Sequence, residues 1–160
     1  MNDAQPAPPV EVDEIDRKIL EYLQEDARIS NADLARRVHL SPPAVHARIR
    51  RLRDLGLIVR FVTLLDREKA GFDMLCFVHV SLQHHQADQV RGVLSRFNEL
   101  PEILECHHVT GEYDYLLKVL VRNRQHLSRF IGQLTPTPGV GRIYTSMVLN
   151  EIKSETRLPL

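Results

Sequence analysis

The stretch Ser30 to Leu57, SNADLARRVHLSPPAVHARIRRLRDLGL, constrains the chain more than any other, because both ends of two short helices are written into it. Ser30 and Asp33 stand at the spacing of a capping box, where the serine oxygen accepts a free backbone N–H and the carboxylate meets the positive helix end. A helix therefore starts near Asn31. Leu34 and Val38 form its buried stripe, the small Ala35 lets a second helix approach closely, and Arg36 and Arg37 point outward. The chain turns at His39 and Leu40, and Ser41 caps a second helix whose first two positions, Pro42 and Pro43, have no N–H to lose there. Val45, Ile49 and Leu52 recur at helical spacing and face the core, which leaves Pro43, His46, Ala47 and Arg50 on the opposite side. The pattern is a helix-turn-helix, and the exposed side of its second helix suits the major groove of double-stranded DNA.

Arg50 and His46 are placed for base edges, while Arg48, Arg51 and Arg53 flank them at positions suited to phosphates on either wall of the groove. With Ser41, Pro43 and Ala47 they make the candidate DNA surface. The net charge is zero, but the charges are segregated along the chain. From Met1 to Ala27 eight acidic residues face only Arg17 and Lys18; from Arg28 to Arg60 eight arginines face only Asp33 and Asp54. Because neutralisation of phosphates depends on the charge that faces the duplex, a balanced total predicts modest nonspecific binding and a real but limited salt dependence.

Around this segment the 160 residues allow two modest domains. Residues 1–11, with Pro6, Pro8 and Pro9 and little to bury, read as a disordered tail. A helix begins near Asp13, with Ile15, Ile19 and Leu23 on one side and Leu20 alongside, giving the first of three helices in a winged helix-turn-helix domain over residues 12–65. Leu57 to Leu65, β-branched and loosely alternating after Gly56, suits a short strand or wing. Residues 66–73 read as a linker. Residues 74–160 then follow the order strand, helix, strand, strand, helix, strand. The strands are predicted over Met74 to Leu82, Ile103 to Thr110, Tyr113 to Val121 and Arg142 to Ile152, and the helices over Gln86 to Leu100 and Arg124 to Leu134. This βαββαβ order points to a ferredoxin-like domain, making the whole chain α+β. Met74, Cys76, Val78, Val80 and Leu82, with Tyr113, Tyr115, Leu117, Val119 and Val121, should lie under the helices. Leu75, Phe77, Leu116 and Leu120 are left on a face no helix covers, which points to a second subunit.

No apolar run approaches the ~20 residues that span a bilayer, and the N-terminus lacks a signal-peptide pattern, so a cytoplasmic protein with no membrane partner is expected. Cys76 and Cys106 are too few for a disulfide scaffold and read as reduced core thiols. His79, His84, His85, His107 and His108, with Cys76 and Cys106, invite a metal reading, and Cys106 and His108 share one strand face, but the spacing is not a zinc pattern and adjacent strand histidines point to opposite faces. No nucleophile elbow, phosphate loop or H-E-x-x-H occurs, and no cofactor or catalytic residue is expected.

Four segments, IDRKILEYLQEDARISNADLARRV, LSPPAVHARIRRLRDLGLI, HHVTGEYDYLLKV and TSMVLNEIK, together resemble the Lrp/AsnC family of leucine-responsive or "feast and famine" regulators, across Val12 to Leu160. The resemblance implies a winged helix tied to a βαββαβ effector domain, homodimers built through the sheets, often octamers, and an amino-acid effector. It places the effector at subunit contacts near the turn between the second and third strands, here Thr110, Gly111, Glu112, Tyr113 and Asp114. A glycine turn there can present N–H groups to an α-carboxylate and Asp114 can take an α-ammonium; Thr145 and Ser146 offer nearby hydroxyls. The plainer reading is a hairpin in which Gly111 makes the turn and Asp114 hydrogen-bonds its backbone. His39 departs from the family, many of whose members carry glycine at that turn, where positive φ is needed and histidine tolerates it better than most residues. Proteins of the same plan also resemble sirohaem decarboxylases, so a tetrapyrrole-binding enzyme is one alternative and a DNA-free amino-acid sensor another.

Overall fold

The computed structural model describes residues 10–160; most of the tail read over residues 1–11 lies outside the described residues. The chain divides into two compact units, the first running through Leu64 and taking back Glu155–Leu160, the second comprising Leu65–Ser154. The C-terminal segment, expected with the second domain, thus packs with the first.

The first unit holds α1 (Glu14–Glu25), α2 (Asn31–Val38) and α3 (Pro42–Asp54). Each starts on a side chain that accepts an otherwise unpaired N–H: Asp13 from Asp16 at 2.7 Å, Ser30 from Asp33 at 3.0 Å and Ser41 from Ala44 at 3.4 Å. The Ser30 hydroxyl also donates to the Asp33 carboxylate at 2.6 Å. The stripes converge on Ile19, Leu20, Leu34, Ala35, Val38, Val45 and Leu52, all buried. His39 closes α2 in the left-handed region, at φ 55° and ψ 43°, and the N–H groups of both His39 and Leu40 converge on the Ala35 carbonyl. A side chain in that conformation is strained, so His39→Gly is expected to stabilise the unit by about 0.5–1 kcal/mol, read as a raised midpoint in urea.

Leu57 and Ile58 donate to the Leu52 carbonyl at 3.0 and 3.2 Å and so finish α3. Beyond them the expected wing strand does not form. A strand needs a neighbour to satisfy its N–H and C=O groups, and no described residue supplies one; Val59, Val62 and Leu64 stay exposed.

The second unit runs β1 (Met74–Leu82), α4 (Ala87–Glu99), β2 (Ile103–His108), β3 (Tyr115–Val121), α5 (Arg124–Leu134) and β4 (Val140–Met147). The strands form one antiparallel sheet in the order β2-β3-β1-β4. Cys76, Val78 and Val80 on β1 and Tyr115, Leu117, Val119 and Val121 on β3 bury against Val93 and Phe97 of α4 and Phe130 and Leu134 of α5. The second and third strands meet closer to their centres than expected, because the turn between them takes up residues 109–114; β4 starts and ends earlier. The expected linker opens as a turn in which Asp66 accepts the N–H groups of Glu68 and Lys69 at 3.1 and 3.0 Å, and it belongs to this unit. Cys76 is a core thiol; Cys106, on the edge strand β2, is exposed, so only one of the two thiols expected in the core is there. On the face away from the helices Leu75 is covered within the chain, leaving Phe77, Leu116 and Leu120 half-buried.

Candidate functional site

The outward side of α3 carries Pro43, His46, Ala47 and Arg50, all exposed, with Ser41 at its start and Arg53 beyond. This follows from the helical repeat once Val45 and Leu52 are fixed in the core. Arg50 makes only a loose approach to Asp54, 3.7 Å away with both side chains largely in water. Of the arginines on α2, Arg36 pairs with Asp33 and Arg37 lies over the Tyr22 ring, 4.9 Å from its centre.

Arg48 and Arg51 are engaged within the chain. Both turn toward α1 and meet at Asp16, whose side chain is only 1% exposed. Arg48 Nη1 donates to Asp16 Oδ1 at 2.8 Å and to Asp13 Oδ2 at 2.7 Å. Arg51 Nη1 donates to Asp16 Oδ2 at 2.9 Å, and its Nη2 reaches the Glu11 carbonyl at 3.2 Å. Both arginines, expected on phosphate, are thus engaged within the chain in a clamp on Asp16. A buried carboxylate is costly unless both oxygens are paired, and two guanidinium groups from the facing helix meet that need. The Asp13 carboxyl is held below the usual carboxylate range, first by the Asp16 N–H it caps and then by Arg48. Asp16 itself was legible as more than a helix-start acid, since it stands three and four residues before the buried Ile19 and Leu20 and so on the inward side of α1.

In the second unit the turn between β2 and β3 is closed by the Val109 N–H donating to the Asp114 carbonyl at 2.9 Å. Gly111 sits there at φ 122°, with open space where a Cβ would lie, so backbone conformation and not crowding selects glycine. The Asp114 carboxylate is occupied: it accepts the Leu82 N–H at 2.7 Å and meets His85 Nε2 at 2.8 Å. His85 first, and then the Leu82 N–H, hold its pKa below the ordinary range. Folding therefore lowers this pKa, and the sign follows: the stabilisation is complete at neutral pH and is lost only as the pH falls below about 3.9. Glu112 pairs with Arg142, whose guanidinium lies 5.2 Å from the centre of the Tyr113 ring. Tyr113 in turn packs near His79, at 5.2 Å, and Tyr144, at 6.3 Å.

Thr145 and Ser146 do not join this group as a pair. Their register partners on β1 are Val78 and Phe77, so the two hydroxyl groups point to opposite faces of the sheet, whereas the Asp114 carboxylate is tied to the far end of β1 at Leu82. His79, Tyr144 and Arg142 take their place beside Tyr113. Only the register of β1 against β4, which pairs His79 with Tyr144, brings them there, and no local motif announces it. Several histidines have other partners: His107 meets Glu105 at 3.1 Å, His126 meets Glu102 at 2.9 Å, and His108 stacks on Tyr115. Among the described residues no group of three His, Cys, Asp or Glu side chains is arranged to hold a metal ion, and no helix is long and apolar enough to cross a membrane.

Comparison with known proteins matches each unit separately. Residues 12–59 fit the winged helix-turn-helix DNA-binding model and residues 75–158 fit the Lrp/AsnC ligand binding domain. The leucine-responsive regulatory protein of Klebsiella pneumoniae is 38% identical over 159 residues, covering 99% of this chain and 97% of its own. The HTH-type transcriptional regulator FL11 of Pyrococcus horikoshii is 34% identical over 151 residues, covering 94% and 98%. Among solved structures, a transcriptional regulator of Neisseria meningitidis in complex with L-Met superposes with a TM-score of 0.90 at 35% identity, covering 93% of this chain and 97% of that one. With both halves of the fold and nearly the whole sequence matched, the chain belongs to the Lrp/AsnC family of transcriptional regulators.

Proposed function

We propose that this protein binds specific DNA sites through the Pro43, His46, Ala47 and Arg50 side of α3, with Arg53 on phosphate, and that an amino acid or related small metabolite modulates that binding from the turn Thr110–Asp114. It acts as a homodimer or higher oligomer in the cytoplasm and has no catalytic step. The observation that carries this reading is the exposed, uncluttered side of a recognition helix whose inner side is clamped by Asp16. The relatives support the effector: one is named leucine-responsive, and the Neisseria structure is an L-Met complex. Phe77, Leu116 and Leu120 on the uncovered sheet face support assembly through the sheets.

Salt dependence of binding to a promoter fragment, followed by fluorescence anisotropy, tests the DNA reading. Each phosphate neutralised contributes about −0.9 to the slope of log K against log salt. With Arg48 and Arg51 held by carboxylates and Arg50 directed at base edges, Arg53 remains for phosphate on each head, and two heads give a slope of about −2. A slope of about −5 is what Arg48 and Arg51 would give if they too sat on phosphate, and such a slope overturns the assignment. The same titration with a panel of amino acids identifies the effector.

Asp114→Asn separates the two roles of that residue. The amide retains an oxygen for the Leu82 N–H but carries no charge for an ammonium group. Loss of the effector response with unchanged DNA affinity is expected, together with a modest fall in urea midpoint from the weakened His85 contact; a retained response removes Asp114 from effector binding.

A further inference from the structure

The C-terminal residues return to the first unit and sit against α1 through contacts that are specific in both polarity and charge. The Gln24 side-chain amide makes two bonds to one backbone residue: Leu158 N–H donates to Gln24 Oε1 at 2.7 Å, and Gln24 Nε2 donates to the Leu158 carbonyl at 3.2 Å. A donor and an acceptor used together in this way imitate one rung of a β-ladder, and they fix the direction of the bound chain. Next to them Arg157 pairs with Glu25 at 3.2 Å. Leu158 and Leu160 line, with Leu20, Leu23, Leu57 and Phe61, a cleft of about 500 Å³. Pro159 favours an extended Leu158, the conformation in which its N–H and C=O can both reach one amide side chain.

We infer that the Gln24–Glu25 end of α1, beside the apolar wall of Leu20, Leu23, Leu57 and Phe61, is a receptor for the segment Arg157–Leu160 of this chain, which acts as a releasable strap. The chain leaves the first unit after Leu64 and comes back to it at Glu155, so the effector-domain segment between them is anchored at both its ends when the strap is seated and at one when it is released. Leu158 remains 66% exposed in the seated state. The strap is therefore held mainly by polar contacts, with little apolar burial to lock it, and it can exchange with a peptide of the same sequence in solution. Seated, it restricts the motion through which an effector can redirect the DNA-binding heads.

Hydrogen exchange of the Leu158 amide in the full-length protein tests the strap directly. Protection in the wild type, an approximately tenfold faster exchange in Gln24→Ala, and a similar acceleration when the acetylated peptide ETRLPL is added in excess are expected, while a scrambled peptide has no effect. Glu25→Arg should also accelerate exchange, and Glu25→Arg with Arg157→Glu should restore it. An unprotected Leu158 amide in the wild type, or exchange that neither Gln24→Ala nor the peptide changes, overturns the inference. The coupling arm rests on the proposed regulator reading. DNA affinity of Gln24→Ala without effector is expected within about twofold of wild type, with a changed response to effector; an unchanged response removes the strap from regulation. Absence of DNA binding by the wild type would instead count against the regulator reading, and the exchange result would still decide the strap.

Discussion

Asp16→Ala is expected to cost the DNA-binding unit about 2–3 kcal/mol and to lower its melting temperature by on the order of 10 °C. The carboxylate is the shared acceptor of Arg48 and Arg51 from the helix opposite, and it is buried on α1 beside Ile19 and Leu20. Removing one partner of a buried charge pair ordinarily costs more, because the other charge is stranded. Here the stranded groups are guanidiniums whose side chains are 29% and 50% exposed and can turn to water, and Arg48 keeps Asp13, so the loss is smaller than the extreme. Asp16→Asn should fall between, since one amide oxygen replaces two charged ones. Thermal unfolding by circular dichroism gives the size of the effect, and a shift below about 2 °C would show that the clamp is incidental to stability.

The second large effect separates α3 arginines that look alike in sequence. Arg50→Ala should weaken specific DNA binding by about 1–3 kcal/mol, which is roughly 5-fold to 150-fold, while leaving the melting temperature unchanged. Its one ion pair among the described residues is the loose, solvent-exposed approach to Asp54, worth little to stability. Arg48→Ala should behave in the opposite way. It loses bonds to both Asp13 and Asp16 and leaves the buried carboxylate with Arg51 alone, so the unit is destabilised, yet well below its melting temperature the DNA affinity falls by less than for Arg50→Ala. Measuring both variants by anisotropy at one salt concentration, with melting curves alongside, tests the pair. Equal losses of affinity with equal stability would return Arg48 to the DNA surface.

The same contrast runs through the effector side. Gly111 and Asp114 stand where the hairpin pattern puts them, and the turn they make is closed as a turn sequence requires. The chemistry available to them is different from a free carboxylate beside free N–H groups, because Asp114 already holds Leu82 and His85. An effector that uses Asp114 must share those bonds or replace one of them. The aromatic neighbours of the turn, His79 and Tyr144, come from two other strands, and Arg142 reaches Tyr113 and Glu112 from β4.

By itself the sequence determined what depends on residues within a turn or two of each other. Asp13, Ser30 and Ser41 start helices because their side chains reach an N–H three positions on; His39 takes the left-handed conformation because α2 has to stop before Ser41 starts α3; alternation on β1 and β3 selects which side of the sheet is dry. Only the tertiary structure decided what depends on partners far along the chain. Whether Leu57–Leu65 is a strand depends on a neighbour that the described chain does not supply, and the faces of Thr145 and Ser146 depend on the register of β4 against β1. The arginines show the difference most directly: in sequence the acidic and basic blocks stand apart, whereas in the fold Asp13 and Asp16 lie against Arg48 and Arg51, 32 to 35 positions later. Helical spacing orients each side chain about its own axis, but the packing of α1 against α3 sets which charge it meets, and that packing leaves Arg50 facing solvent.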